Sequence, residues 1–251
     1  MKYRIDTSSI WVVMMVLAVG LAWPGAAPAV GQTRPAGNIE AVVSSLPFQS
    51  LNDEEKQGMR FMIEEEKLAR DVYLVLYDQW KIPAFSNIAQ SEQQHMNAIR
   101  ALLTKYELPD PTAGAERGEF KDADLKALYL KLVQSGRQSE AAALHVGATI
   151  EDLDIRDLQE NIKKTDNQDI RTVYQNLTKG SRNHLRAFNG QIQARGLTYQ
   201  AQYITADELS EILNAPGERG MINDQGQASP AGSGQGRMNK SGAGRGGGGN
   251  R

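Results

Sequence analysis

From about residue 50 to residue 195, apolar side chains recur every three or four positions, the spacing that lays them along one face of an α-helix. One row runs Met59, Met62, Glu66, Ala69, Tyr73, Leu76, Trp80, and a second runs Ile88, Glu92, His95, Ile99, Leu102, Tyr106. A third is Leu144, Ala148, Glu151, Ile155, Leu158, Ile162; a fourth includes Ile170, Val173, Leu177, Gly180, His184 and Phe188. No stretch makes a convincing case for the two-residue alternation of a strand. Four long helices are predicted, with a fifth, amphipathic one through Leu125, Leu128, Tyr129, Leu132 and Val133, closed by Gly136.

Polar punctuation sets the boundaries. Asn52, followed by Asp53, Glu54 and Glu55, offers an N-cap with acids in the first turn. The Lys81–Ser86 stretch, with Pro83 and a cap expected at Ser86, breaks the chain before the second helix. That helix ends at Leu108-Pro109-Asp110-Pro111, a long connection follows over 109–138, and Ser139-Glu140 opens the third. Lys163–Asn167 is another brief turn, the fourth helix covers 168–193, and Gly196 marks its end. Thr205-Ala-Asp-Glu208 reads as a capping box for a short last helix. Connections that run short, long, short describe an all-α, antiparallel four-helix bundle with one long crossover and a short extra helix, the ferritin-like arrangement.

The two ends stand apart from this core. Lys2 and Arg4, the apolar run Ile10–Trp23 and Ala27-Pro28-Ala29 form a signal peptide over 1–29, cleaved after Ala29. The apolar stretch is short for a membrane span, so no stable insertion is expected after cleavage, and the product is exported, periplasmic or extracellular. Residues 30–50 read as a linker, 51–214 as the folded domain, and 215–251 as a disordered Gly-rich tail too poor in apolar surface to offset its ordering entropy. A net charge of −2 gives no basic field for nucleic acid. The absence of cysteine excludes disulfides, thiolate ligands, iron–sulfur clusters and thiol catalysis. No nucleophile motif points to hydrolysis.

The rows themselves carry the candidate chemistry. Near the middle of each, where neighbours are apolar, stand Glu66; Glu92 with His95; Glu151 with Asp154 on its edge; and His184. Burying unpaired carboxylates is costly, and Glu-x-x-His on a bundle helix is a signature of dimetal carboxylate sites. Oxygen and imidazole donors suit iron or manganese, two ions per chain, with zinc acceptable and copper(I) disfavoured. Each Glu could instead pair with Arg70, Arg100, Arg182 or Arg186, and Glu65, flanking the first row, competes with Glu66. His145 is expected at an edge, and Tyr73 in core packing, with a donor or redox role as its alternative. Gly180 and Ser181 mark either a close backbone approach or room beside the metals. A faint twofold likeness is visible, with Glu66 29 positions before His95 and Glu151 33 before His184.

Four motifs together resemble the ferritin-like family known as domain of unknown function 2202. They are Glu66-Lys-Leu-Ala69-Arg-Asp-Val-Tyr73, Ser91-Glu92-Gln-Gln-His95-Met, Gly147-Ala-Thr-Ile-Glu151-Asp-Leu-Asp154 and Gly180-Ser-Arg-Asn-His184-Leu-Arg-Ala-Phe188. A more distant likeness to rubrerythrin selects Glu66 over Glu65, and stands Glu151 with Asp154 where two third-helix carboxylates belong. The resemblance departs at Gly180 and Ser181, where such proteins usually carry a Glu. It implies a metal centre with redox chemistry towards Fe(II), peroxide or dioxygen, Glu66 and Glu151 serving as first-choice bridges. A homodimer and a non-catalytic metal-binding or structural module of the cell envelope stay open.

Overall fold

The computed structural model describes residues 39–228. The expected signal peptide, the first part of the linker and the tail beyond 228 lie outside the described residues. The chain is helical throughout: α1 (Ile39–Ser45), α2 (Asp53–Trp80), α3 (Pro83–Lys105), α4 (Ala123–Gly136), α5 (Glu140–Lys163), α6 (Gln168–Gln193) and α7 (Ala206–Asn214). Strand structure among the described residues is one isolated bridge between Ile222 and Ala228.

Helix α2 packs on α3 and α5, and α6 packs on α5 and α3, so the four long helices share one interior; α4 covers α2 and α5. The predicted rows line that interior, from Met59, Met62 and Leu76 to Ile170, Val173 and Phe188, all at 0% exposure. Caps fix where the rods begin. Asn52 and Glu55 form a reciprocal capping box at α2 (2.8 and 2.9 Å), and Glu55 also accepts from Thr165 in the α5–α6 turn. Ser139 caps α5.

Three expectations change. Helix α3 starts at Pro83 rather than after a Ser86 cap, because proline's fixed φ and missing N–H suit the first helical position. Thr205 caps α7, but Glu208 turns its side chain to Gln159 (2.5 Å), leaving half of the expected box. The folded chain also runs past residue 215. Asn176 clasps both backbone groups of Ile222 (2.7 and 3.0 Å), and Glu218 pairs with Arg182 and Arg186. Polar composition hid this docking, because backbone hydrogen bonds and one carboxylate hold it rather than apolar burial. In the expected linker, α1 buries Val43.

The long connection between α3 and α4 is tied to α2 by buried charge. Lys67 Nζ reaches Asp71 (2.6 Å) and the Glu116 carbonyl (2.7 Å), the Gly118 amide donates to Asp71, and the Lys121 amide donates to Glu64. These charges are paired within their own network and stay outside the central one.

Candidate metal centre

Each long helix brings its mid-row polar group to one place. Glu66, Glu92, His95, Glu151, Asp154 and His184 are all at most 9% exposed. His95 Nδ1 lies 2.6 Å from Glu92 Oε2 and 3.1 Å from Glu66 Oε2. His184 Nδ1 lies 2.9 Å from Glu92 Oε1 and 3.3 Å from Glu151 Oε2. The result is two groups, Glu66–Glu92–His95 and Glu92–Glu151–His184, each offering three donor atoms within 4.8 Å of one another. Glu92, not Glu66 or Glu151, is the carboxylate common to both. The two imidazoles stack with centroids 5.5 Å apart. Asp154 belongs to neither group; its Oδ2 accepts from Ser181 at 2.5 Å.

Proximity here is not hydrogen bonding. His184 Nδ1, Glu92 Oε1, Glu66 Oε1 and Asp154 Oδ1 are buried without a hydrogen-bond partner, the short histidine–carboxylate distances notwithstanding, because the groups are out of line. Leaving each such atom unsatisfied costs about 1–3 kcal/mol. A cation held between them satisfies several at once, which is the sense in which these residues fit a metal. The arginine alternative fails on geometry. Arg70 binds Asp71 and Gln93, Arg100 binds Asp110 and Asn97, and Arg182 and Arg186 bind Glu218.

Electrostatics follow from this packing. Burial pushes the Glu66 carboxyl up to about 7 against the lowering charge of His95. Burial and the Glu92 charge take Glu151 to about 7. Glu92 behaves oppositely: burial would raise it, but His184 and His95 outweigh burial and hold it well below the usual range. Burial alone would lower His184, yet Glu92 and Glu151 lift it to about 10; His95 is raised for the same reason by Glu66 and Glu92. Burial and the charges of Glu66 and Glu151 raise Asp154 well above the carboxylate range.

Residues 55–216 match the family described as an uncharacterized protein domain, DUF2202. The chain belongs to this family. It is 55% identical over 179 residues to the uncharacterized protein MJ0754 of Methanocaldococcus jannaschii, covering 71% of this chain and 97% of that one. The crystal structure of the hypothetical protein MJ0754 from Methanococcus jannaschii is similar at TM-score 0.68 and 54% identity, over 69% of this chain and 99% of that one.

Within the DUF2202 segment, residues around the two groups hold them in position. Tyr73 is more than core packing: its hydroxyl donates to Glu151 Oε1 at 2.5 Å while its ring packs on Phe85 and Phe188. Ser91 Oγ lies 2.9 Å from His184 Nε2, which leaves Nδ1 facing the carboxylates. Gly180 is explained by close approach, since a Cβ there would stand 2.5 Å from His95 Nε2. Ser91 and Ser181 escaped the sequence reading as partners of the site; their one signal was a hydroxyl in a helix interior, where serine is disfavoured. His145 sits apart, on the carbonyls of Ala141 and Thr198. Glu65 faces away from both histidines, towards Asp157 and Asp154; burial first, then those two charges, raise it well above the carboxylate range.

Proposed function

We propose that this chain is an exported, ferritin-like four-helix protein that binds two iron or manganese ions through Glu66, Glu92, His95, Glu151 and His184, and that its role is redox. The observation that carries this reading is Glu92, a buried carboxylate within 2.6 and 2.9 Å of two histidine nitrogens from different helices and part of both donor groups. Glu92 is the bridging residue, Glu66 and Glu151 the outer carboxylates, and His95 and His184 the nitrogen donors. Iron or manganese so held supplies one-electron chemistry towards dioxygen or peroxide.

The chain's own work is binding, orientation and proton release. Tyr73 fixes Glu151, Ser91 fixes the His184 ring, and Gly180 lets His95 lie against α6. Because Glu66, Glu151 and His184 hold their protons at neutral pH without a cation, loading releases protons and tightens as pH rises. Export rests on the segment 1–29.

A second reading, metal binding without turnover, draws on Ser181, which directs its hydroxyl to Asp154 and brings no carboxylate to the second group. Anaerobic loading with Fe(II) followed by dioxygen or peroxide separates the two. An absorbance change with consumption of the oxidant is expected. Two bound ions without consumption would favour the second reading, and no bound metal in the wild-type protein would end both.

A further inference from the structure

A second line of carboxylates leads away from the centre along the contact of α2 with α5. Glu151, Asp154 and Asp157 follow one another every three residues on α5, so they share a face, and Glu65 of α2 stands against Asp157 and Asp154. Glu65 is 2% exposed, and neither of its oxygens has a hydrogen-bond partner; Asp154 Oδ1 is likewise unpartnered. The Glu65 and Asp157 carboxyls meet as two acceptors, an arrangement that requires positive charge between or beside them. None of the groups acting most strongly on Glu65 is a cation.

The outer end of the line reaches the surface. Arg156, with its side chain 28% exposed, holds Asp157 Oδ1 through Nε (2.7 Å) and Nη2 (2.6 Å) and lies over the ring of Tyr203. At the inner end, Glu65 adjoins Glu66 in sequence, and the charges of Glu66 and Glu151 act on Asp154. A guanidinium thus covers the acidic line from outside, on a long side chain that can swing aside.

We propose that Glu65, Asp154 and Asp157 form a third divalent-cation site, a transfer position between the surface at Arg156 and the Glu66–Glu92–Glu151 centre. Its donors are carboxylate oxygens without imidazole, so it takes hard cations such as Mn(II), Fe(II) or Mg(II) and holds them less tightly than the histidine-bearing groups do. The transfer role rests on the two-ion reading above; the site itself does not.

Equilibrium Mn(II) binding to the metal-stripped full chain, followed by rapid-mixing uptake, tests this. Wild type is expected to bind three Mn(II), the third about tenfold or more weaker than the others. Glu65→Gln and Asp157→Asn should each bind two and fill them about tenfold more slowly, at unchanged final affinity. Circular dichroism checks the fold of both, and either folded variant carries the test. A wild-type count of two, with both variants filling at the wild-type rate, overturns the third site and leaves the centre standing. Loss of the third ion with unchanged filling supports the site and overturns the transfer role. If Glu92→Ala keeps a single ion that Glu65→Gln lacks, the third site stands whatever becomes of the centre. No Mn(II) bound by wild type overturns both.

Discussion

The α2–α3 pair and the α5–α6 pair deliver the same frame with different chemistry. Each supplies one Glu and one His, 3.1 Å apart for Glu66 and His95 and 3.3 Å for Glu151 and His184. Four residues before each histidine the helices trade roles: Ser91 meets the ring of His184, and Gly180 makes room for the ring of His95. One turn position later the halves part. Helix α3 carries Glu92, which reaches both rings, whereas α6 carries Ser181, which engages Asp154. The backbone frame is nearly twofold; one carboxylate at one position decides which half owns the shared ligand.

The largest expected effect breaks that asymmetry directly. Glu92→Ala should lose both ions, while Glu66→Ala and Glu151→Ala should each retain one, measured by elemental analysis of the purified protein. Equal losses in all three variants would show that Glu92 has no special place.

Next comes pH, where the halves should act alike. Glu66 and Glu151 hold protons up to about 7 when folded, against about 4.5 for the ordinary carboxyl, so the folded state binds more protons between those values. Stability of the metal-free protein therefore falls as pH rises through that window. His184, raised to about 10, contributes stability that is complete below about 6.5 and lost as pH rises through 10. Glu92, held low, adds a constant contribution above about 4.5. Denaturant unfolding should show the metal-free protein less stable at pH 9 than at pH 5, by on the order of a few kcal/mol. Glu66→Gln and Glu151→Gln should each remove a similar share of that slope. A slope confined to one variant would mean that the halves are not electrostatic equivalents.

Gly180→Ala sharpens the comparison through its sign. Alanine in a helix interior gains about 1 kcal/mol over glycine. Here the added methyl would meet His95 Nε2 at 2.5 Å, and overpacking of that kind costs about 1–3 kcal/mol. A net loss of stability is expected, with weakened metal binding in the Glu66–Glu92–His95 group. A net gain would show that the His95 ring moves aside freely.

The frame was legible because helical period and capping are local. The four rows, the caps at Asn52 and Ser139 and the mid-row positions of the acids and histidines all follow from spacing. What spacing could not separate was Glu65 from Glu66. Neighbouring helix positions differ by only about 100°, and α2 is enclosed so widely that Glu64, Glu65, Glu66 and Lys67 are all buried. The choice is made by the partners opposite, His95 for Glu66 and Asp157 for Glu65. The bridging role was misassigned for a related reason. A row shows depth along a helix, whereas reaching two rings at once depends on which helices lie across the interior. The docking of 216–228 left no apolar pattern to read at all.

The smallest effects test the two serines against each other. Ser91 is only partly buried, so in Ser91→Ala water can take over the hydrogen bond to His184 Nε2. A loss below about 1 kcal/mol is expected in the metal-free protein. Ser181 is at 0% exposure, and its hydroxyl meets both Asp154 Oδ2 (2.5 Å) and the Leu177 carbonyl (3.0 Å). Ser181→Ala leaves Asp154 with both oxygens unpartnered where no water reaches Ser181's place, at about 1–3 kcal/mol. The serine that touches no donor group should thus matter more to folding, and the one that touches His184 more to metal affinity. Thermal unfolding and Mn(II) titration of both variants read the two orders independently. If Ser91→Ala is the more damaging on both measures, Asp154 gains nothing from Ser181, and the asymmetry of the halves reduces to Glu92 alone.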